Sequence, residues 1–397
     1  VSIYLEKASS IYEQVVDIRR DIHRHPEPGG NEKRTSALIR ETLKSYGIDK
    51  IDSPTPTSVV AEIVGNNGKG RTVALRADID ALPINEETGL PFSSEIDGVM
   101  HACGHDLHTA MLLGSGKILH DLRNELPGTV RLIFQHSEDT MPGGAKDLVQ
   151  KGVMDGVDAL LGMHNLPTEN DKTGVIGIRP GPFTTSADEY WFNIIGTGGH
   201  GSAPHKAPDP ILAAAQLINV FQQLQSRIID PMDTIIYQMN KIDGGHAANI
   251  IADRVRMGGN ARAYTSETRD KAEEFIFRAA KAVESISGCT VEVEAIRGYD
   301  ACFNDFKLTE MIKKYVPEIL GEGRLEVFDR PMNFSEDFSF YSTLTGIPSA
   351  LMILQAGHEG DNLYTLHNAK CTVKEEAMKY GMAAMAGLAA SFLNSNC

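Results

Sequence analysis

The sequence predicts an α/β protein: a domain built on a mainly parallel sheet, into which a smaller α+β domain is inserted. Three observations carry this prediction. Across residues 1–186, helix-period segments alternate with short β-branched runs, as they do when parallel strands are joined by helical crossovers. From 187 to 297 the order becomes strand, helix, two strands, helix, strand, and from 298 to 397 the first pattern returns. A chain of 397 residues also exceeds one ordinary core and calls for two domains.

Taken in order, amphipathic periodicity predicts helices over 3–24 and 33–46. SVVAEIV (58–64) and TVALRAD (72–78) read as strands, a helix follows over 106–123, and TVRLIFQ (129–135) is the next strand. A short helix over 144–151 leads to DALLGMH (158–164), a fourth strand. Three of these strands run into polar clusters: Arg76-Ala77-Asp78-Ile79-Asp80, His136-Ser137-Glu138-Asp139 and His164-Asn165. Ligands of open α/β sheets gather beyond the carboxyl ends of the strands, so the clusters are expected to converge. The inserted stretch runs EYWFNIIG, DPILAAAQLINVFQQLQSRI, TIIYQMNKI, DRVRMGGNARAY, SETRDKAEEFIFRAAKAVESIS and TVEVEAI. This βαββαβ order is that of a ferredoxin-like sandwich. After it come a helix over 306–319, SEDFSFYSTL (335–344), the apolar strand PSALMIL (348–354), the segment Tyr364-Thr365-Leu366-His367-Asn368, and a helix over 373–393.

Composition narrows the function classes. With 42% hydrophobic and 23% charged residues the chain reads as a soluble globular protein. Its 53 acidic against 38 basic residues leave a net charge of −15, which repels polyanions and excludes nucleic acid as the expected partner. No stretch approaches the ~20 apolar residues of a membrane span, and VSIYLEKASSIYEQ lacks the basic-then-apolar order of a signal peptide. The expectation is a cytoplasmic protein with no membrane partner and a small-molecule substrate. Five scattered cysteines, Cys103, Cys289, Cys302, Cys371 and Cys397, contain no CxxC and do not form a disulfide framework. Only Cys103 has chemically interesting neighbours; the other four read as ordinary thiols.

Those neighbours lie in MHACGHDLHTA (100–110), where Cys103 and His105 flank Gly104. A glycine there lets the backbone bend so that two donors face one point. Thiolate, imidazole and carboxylate together suit zinc, or manganese, cobalt or nickel where oxygen and nitrogen donors dominate. Asp106 and His108 read as supports at the helix start, and His101 as a flanking residue. Glu138 and Asp139, adjacent acids at a strand end, can divide two tasks: one binds a cation and the other takes a proton from water. His164 and His367 are further candidate ligands. Taken singly each would read as a packed histidine, and the coincidence of clusters carries the metal reading. GTGGHGSAPH (196–205) is glycine-rich but lacks the Lys-Ser/Thr ending of a phosphate-binding loop. Its glycines shape a turn that presents His200.

HRHPEPGGNE (23–32), RADIDALPI (76–84), MHACGHDLHTA, GGHGSAPH (198–205), GGHAANIIAD (244–253), SEDFSFY (335–341) and LHN (366–368) resemble, in order, the motifs of the N-acyl-amino-acid amidohydrolases. These belong to the co-catalytic metallohydrolases that also include aminoacylases, carboxypeptidases, hippurate hydrolases and auxin-conjugate hydrolases. The resemblance implies a zinc-peptidase-like catalytic domain over 1–186 and 298–397, with 187–297 as a lid and dimerisation domain. It implies two divalent metal ions held by Cys103, His105, Asp139, His164 and His367, with Glu138 as general base and Asp78 orienting a metal-binding group. His200 would reach a neighbouring subunit's site and stabilise the oxyanion, and Asn249 and Arg262 would hold a substrate carboxylate. The resemblance further implies a homodimer or higher homo-oligomer.

The chain departs from the family pattern at HSEDT (136–140), where the family reads PAEEG. Asp139 is shorter by one methylene than the usual ligand, and His136 is either an added ligand or a packed neighbour. The expected activity is hydrolysis of the amide bond of an N-acylated amino acid. The alternatives are a dipeptidase or carboxypeptidase using the same residues, and a binding protein that keeps the fold without catalysis.

Overall fold

The computed structural model describes residues 2–395; Cys397, expected to be an ordinary thiol, lies outside the described residues. The chain divides into two compact units, one holding residues up to Gly181, 303–331 and those from 337 on, the other holding 182–302 and 332–336.

The first stretch supplies α1 (Ile3–Ser10), α2 (Tyr12–Arg24), α3 (Lys33–Ser45), β1 (Ile51–Asp52), β2 (Val59–Val64), β3 (Thr72–Asp78), α4 (His105–Asp121), β4 (Thr129–Gln135), α5 (Ala145–Gln150), β5 (Ala159–Leu166), β6 (Val175–Ile178) and the short β7 (Gly181–Pro182). The middle stretch supplies β8 (Asp188–Ile195), β9 (Gly199–His200), α6 (Pro210–Gln223), β10 (Ile235–Gly244), β11 (Ile250–Ile251), β12 (Arg254–Ala263), α7 (Ser266–Ser287) and β13 (Thr290–Arg297). The last stretch supplies β14 (Phe303–Asn304), α8 (Phe306–Leu320), β15 (Leu325–Val327), α9 (Ser339–Thr343), β16 (Ser349–Gln355) and α10 (Ala377–Asn394).

Two helix expectations are corrected. The pattern over 3–24 forms two helices, because Ile11 leaves the helical region at φ −105°, ψ 5°. The last helix starts at Ala377 rather than 373, since the Lys374 amide donates to Ala356 O beyond the end of β16.

In the first unit the strands form one sheet of order β1-β2-β4-β3-β5-β16-β6-β15. Its centre is parallel, as predicted: β3 runs parallel to β4 and β5, and β5 parallel to β16. β2 joins β4, and β6 joins β16, in the antiparallel sense. Six of the seven residues of β3 are buried, which fits a strand covered on both faces. Leu75, Leu107, Met111, Leu161, Met352, Met378 and Met382 share one core, and Ser115 Oγ on α4 lies 3.2 Å from Met382 O on α10. Register places Asp78 opposite Gln135 and His164 opposite Ile353. The polar strand ends therefore emerge at one edge of the sheet.

In the second unit the antiparallel order is β10-β12-β8-β13. Strand alternation turns Tyr190, Phe192 and Ile194 of β8 and Val255 and Met257 of β12 inward, where Leu217 and Phe221 of α6 and Phe275, Ile276 and Val283 of α7 meet them. β9 and β11 form a separate small pair that sets His200 opposite Ile250. No helix among the described residues is long and apolar enough to cross a membrane.

Candidate metal centre

The centre is built on the turn that starts α4. Gly104 caps the helix at φ +84°, a conformation that glycine adopts without a Cβ penalty. A Cβ at this position would lie 2.3 Å from Asn165 Oδ1. The turn aims Cys103 and His105 at the same space. Cys103 Sγ is 3.5 Å from His164 Nε2 at the end of β5 and 3.3 Å from His367 Nε2. His367 Nε2 is in turn 3.4 Å from Asp139 Oδ1, while His105 Nε2 lies 3.8 Å from Glu138 Oε2 and 3.9 Å from Asp139 Oδ2. The structure thus brings together Cys103, His105, Glu138, Asp139, His164 and His367. Donor atoms of Cys103, His105 and His164 lie within 4.8 Å of one another, as do those of Cys103, Asp139 and His367.

One residue of the cluster and the neighbour of another stand in strained backbone. His367 has φ +63° and Ser137, which precedes Glu138, has φ +52°; non-glycine residues rarely adopt this region, and it concentrates at functional sites. The Ser137 turn is anchored by Glu32, whose buried carboxylate accepts from Ser137 N at 2.8 Å. The His367 amide donates to Ala102 O at 3.0 Å.

The hydrogen-bond network assigns the imidazole lone pairs. His164 Nδ1 donates to Asn165 O at 2.7 Å, and His105 Nδ1 donates to Asp80 O and Oδ1, both at 3.1 Å. Each Nε2 is left facing the cluster, the arrangement typical of metal-binding histidines. Burial, and then His108, push His164 down to about 3, so its ring is neutral. Burial opposes the charged form of His105, but Asp78, Cys103 and Asp80 hold its pKa well above the ordinary value. Burial, with Asp139 beside it, pushes the Cys103 thiol well up. A divalent cation among these donors reverses that last balance, because a coordinating thiol loses its proton.

The residues present fit such a cation. His105 Nε2 and Asp139 Oδ2 are buried without a hydrogen-bond partner, which is costly unless something polar or charged meets them. The donor set mixes sulfur, nitrogen and oxygen, as zinc sites do.

RADID resolves into two different jobs. Asp78 Oδ1 accepts from His108 Nδ1 at 2.5 Å and Oδ2 from Arg76 Nη1 at 2.6 Å, so its hydrogen bonds go to His108 and Arg76, while Oδ2 lies 3.7 Å from His105 Nε2. The carboxylate bonded to His105 is that of Asp80, whose Oδ2 also accepts from Asp139 N at 3.0 Å. Asp80 was not singled out by the sequence; both acids lie at the same strand end, two residues apart, and alternation puts them on the same side. Asn165 was missed as well. Its side-chain amide is buried against Gly104 with no partner, and its backbone N donates to His108 Nε2 at 2.9 Å.

His136 follows the packed reading. Its ring touches Ser137 Oγ at 2.9 Å and lies 3.9 Å from Asp147, and it belongs to none of the donor groups among the described residues. His101 is buried, pushed down to about 3 by burial, and also outside those groups.

Asp106 supports the helix start by reaching α2. Its Oδ2 meets Arg19 Nε at 2.7 Å and accepts from His23 Nδ1 at 2.8 Å, while His23 Nε2 lies 3.2 Å from Glu86 Oε1. This linkage predicts a pH dependence of stability. Burial and Arg19 oppose charge on His23, yet Asp106 and Glu86 carry the net shift above its ordinary 6.5. Burial opposes charge on Glu86, but His23, Thr88 and the Ser94 amide bring it down to about 2. The His23 contribution is complete below the unfolded pKa of 6.5 and is lost as pH rises through the folded value. The Glu86 contribution is complete above its unfolded 4.5 and is lost as pH falls towards 2. His23→Gln is therefore expected to destabilise most between these unfolded values and progressively less at alkaline pH. Thermal melts from pH 5 to 9 check this, and a constant difference across the range contradicts it.

The second unit holds three further expected site residues. His200 is exposed, and its Nδ1 accepts from Ser202 N at 3.1 Å, which places the ring proton on Nε2. Asn249 is exposed, and its O accepts from Gly201 N at 2.9 Å, so β9 and β11 bring His200 and Asn249 into one small element. Arg262 on β12 donates from Nη1 to Ser335 Oγ at 2.7 Å.

A buried cluster of sulfur, nitrogen and oxygen donors at the carboxyl edge of a mixed α/β sheet, with the buried Glu138 carboxylate beside it, defines a metallohydrolase. The chain belongs to peptidase family M20/M25/M40, whose family model it matches over residues 74–391. It is 41% identical over 291 residues to an N-acyl-L-amino acid amidohydrolase of Geobacillus stearothermophilus, covering 73% of this chain and 78% of that protein. It is 38% identical over 388 residues to thermostable carboxypeptidase 1 of Saccharolobus solfataricus, covering 97% and 96%. Among solved structures it matches a dinuclear metal-binding peptidase of the M20 family from Bacillus subtilis, with a TM-score of 0.83, 32% identity, and coverage of 97% and 99%.

Proposed function

We propose that this protein hydrolyses the amide bond of N-acylated amino acids with two divalent cations held by Cys103, His105, Asp139, His164 and His367. The observation that carries the reading is the convergence of these donors beside the buried carboxylate of Glu138, which the proposal assigns to proton transfer and not to the ligand set. Divalent cations at such a site polarise a carbonyl and bring the pKa of water to about 7.

Glu138 accepts the proton of the attacking water and returns it to the leaving nitrogen. Asp80 holds the ring of His105 and the backbone of Asp139. His200, with its proton on Nε2, reaches the site of a neighbouring subunit and donates to the oxyanion developing there, a contribution of about 3 kcal/mol in comparable sites. Arg262 and Asn249 bind the carboxylate of the amino-acid half. Zinc, manganese, cobalt and nickel are the candidate cations, the cytoplasm is the proposed location, and a homodimer or larger homo-oligomer is the proposed assembly. Residues 187–297 act as the lid and dimerisation domain.

A second reading, cleavage of dipeptides or carboxy-terminal residues, is favoured by the carboxypeptidase among the relatives. The test removes metal with a chelator, restores each candidate cation in turn, and assays N-acetyl, N-benzoyl and indole-acetyl amino acids beside dipeptides. Activity is expected to vanish on chelation and return with metal, with N-acyl amino acids preferred by at least about tenfold in kcat/KM, or about 1.4 kcal/mol. Faster turnover of dipeptides selects the second reading. Protein that binds acylated amino acids but regains no hydrolysis with any cation is a binding protein.

A further inference from the structure

Glu138 and Asp139 stand on a loop, residues 136–144, between the end of β4 and the start of α5. Both ends of that loop converge on one buried carboxylate that no step above uses. Asp337 Oδ1 accepts from Gln135 Nε2 at 2.8 Å and from Arg76 Nη2 at 2.9 Å. Asp337 Oδ2 accepts from Gln135 Nε2 at 2.7 Å and from Ala145 N at 2.9 Å. Gln135 is the last residue before the loop and Ala145 the first after it, so a single side chain closes the loop at its neck.

The fit is close and polarised. Gly143 sits at φ +84°, and a Cβ there would come within 2.4 Å of Asp337 Oδ2. Every partner of the carboxylate is a donor, so an amide in its place sets an N–H against N–H groups at one of its two positions. Gln135 is itself fixed, its Oε1 accepting from Arg76 Nε at 2.8 Å and Tyr341 Oη at 3.0 Å. The backbone N of Asp337 also reaches Glu138 Oε1, at 3.5 Å.

We propose that Asp337 is a positioning residue: by clasping Gln135 and Ala145 across the neck of the 136–144 loop, it holds the Glu138 carboxylate where it can move the proton. The proposal rests on the general-base reading of Glu138. A displacement of about 1 Å in a reacting group can cost on the order of 10²-fold in rate, whereas the substrate contacts lie on other elements.

The test compares wild type, Asp337→Asn, Tyr341→Phe and Glu138→Gln. Asp337→Asn is expected to lower kcat about 10- to 100-fold, leave KM within about threefold, and retain wild-type metal content. Hydrogen–deuterium exchange on chelator-treated protein is expected to show faster exchange of the segment around Ala145, independently of activity. Tyr341→Phe, which removes one bond to Gln135 and preserves the fold should Asp337→Asn fail to fold, is expected to show the same pattern at several-fold amplitude. Wild-type kcat in folded Asp337→Asn, or in Tyr341→Phe if that alone folds, overturns the proposal. So does loss of metal in step with activity, which would make the clasp a support of the ligands. If Glu138→Gln is inactive while both clasp variants match wild type, only the clasp fails; if Glu138→Gln is fully active, the general-base reading itself fails.

Discussion

Glu138→Gln is expected to lower kcat by about 10²- to 10⁴-fold, the span that a general acid–base residue supplies, while the protein keeps its fold and its metal. Glutamine matches the shape of glutamate and can still accept at Oε1, where the Asp337 amide reaches it, but it has no carboxylate to take a proton. Glu138 is 4% exposed, so bulk water does not readily replace it. The five proposed ligands are untouched, and metal content should stay at the wild-type level. Steady-state kinetics with an N-benzoyl amino acid, beside metal analysis of the same sample, checks both halves. Full activity in this variant would sink the mechanism, and loss of metal would place Glu138 among the ligands.

Asp106→Ala is expected to destabilise the protein by about 3–5 kcal/mol, the usual cost of breaking a buried ion pair from one side. The side chains concerned are all interior: Asp106 is 0% exposed, Arg19 3% and His23 2%. Removing the carboxylate leaves the Arg19 guanidinium with Glu375 at 3.3 Å and His23 with Glu86. Neither replaces the lost 2.7 Å contact. Denaturant unfolding of metal-free protein measures the loss without a contribution from bound cations. A change below about 1 kcal/mol would show that the remaining partners compensate, and would place the pair with ordinary surface bridges.

The chemistry was more legible in the sequence than its wiring. HACGHDLH stood out because a thiol and imidazoles on both sides of a glycine are unusual before an apolar helix, and strand ends at HSED and MHN marked where polar groups leave a buried sheet. The helix over 3–24 was less legible, because its periodicity continues through Ile11 where the backbone turns. The sequence likewise left open which aspartate of RADID serves which histidine. The difference between Asp78 and Asp80 is a matter of which histidine of α4 each side chain meets, and that depends on how the helix is set against the strand.

By itself, then, the sequence determined the α/β class, the alternation that becomes a parallel-centred sheet, the family, and the donor types at the metal centre. These follow from local signals: period, capping glycine, and the residues at strand ends. Only the tertiary structure decided that Asp106 faces Arg19 and His23 instead of the donor cluster, that Asp80 orients His105, and that Asp337 closes the loop bearing Glu138. Those contacts join residues 83 and 202 positions apart in His23–Asp106 and Gln135–Asp337. A hydrogen bond over such a separation leaves no trace in local periodicity, because the partner is selected by the packing of helices on the sheet.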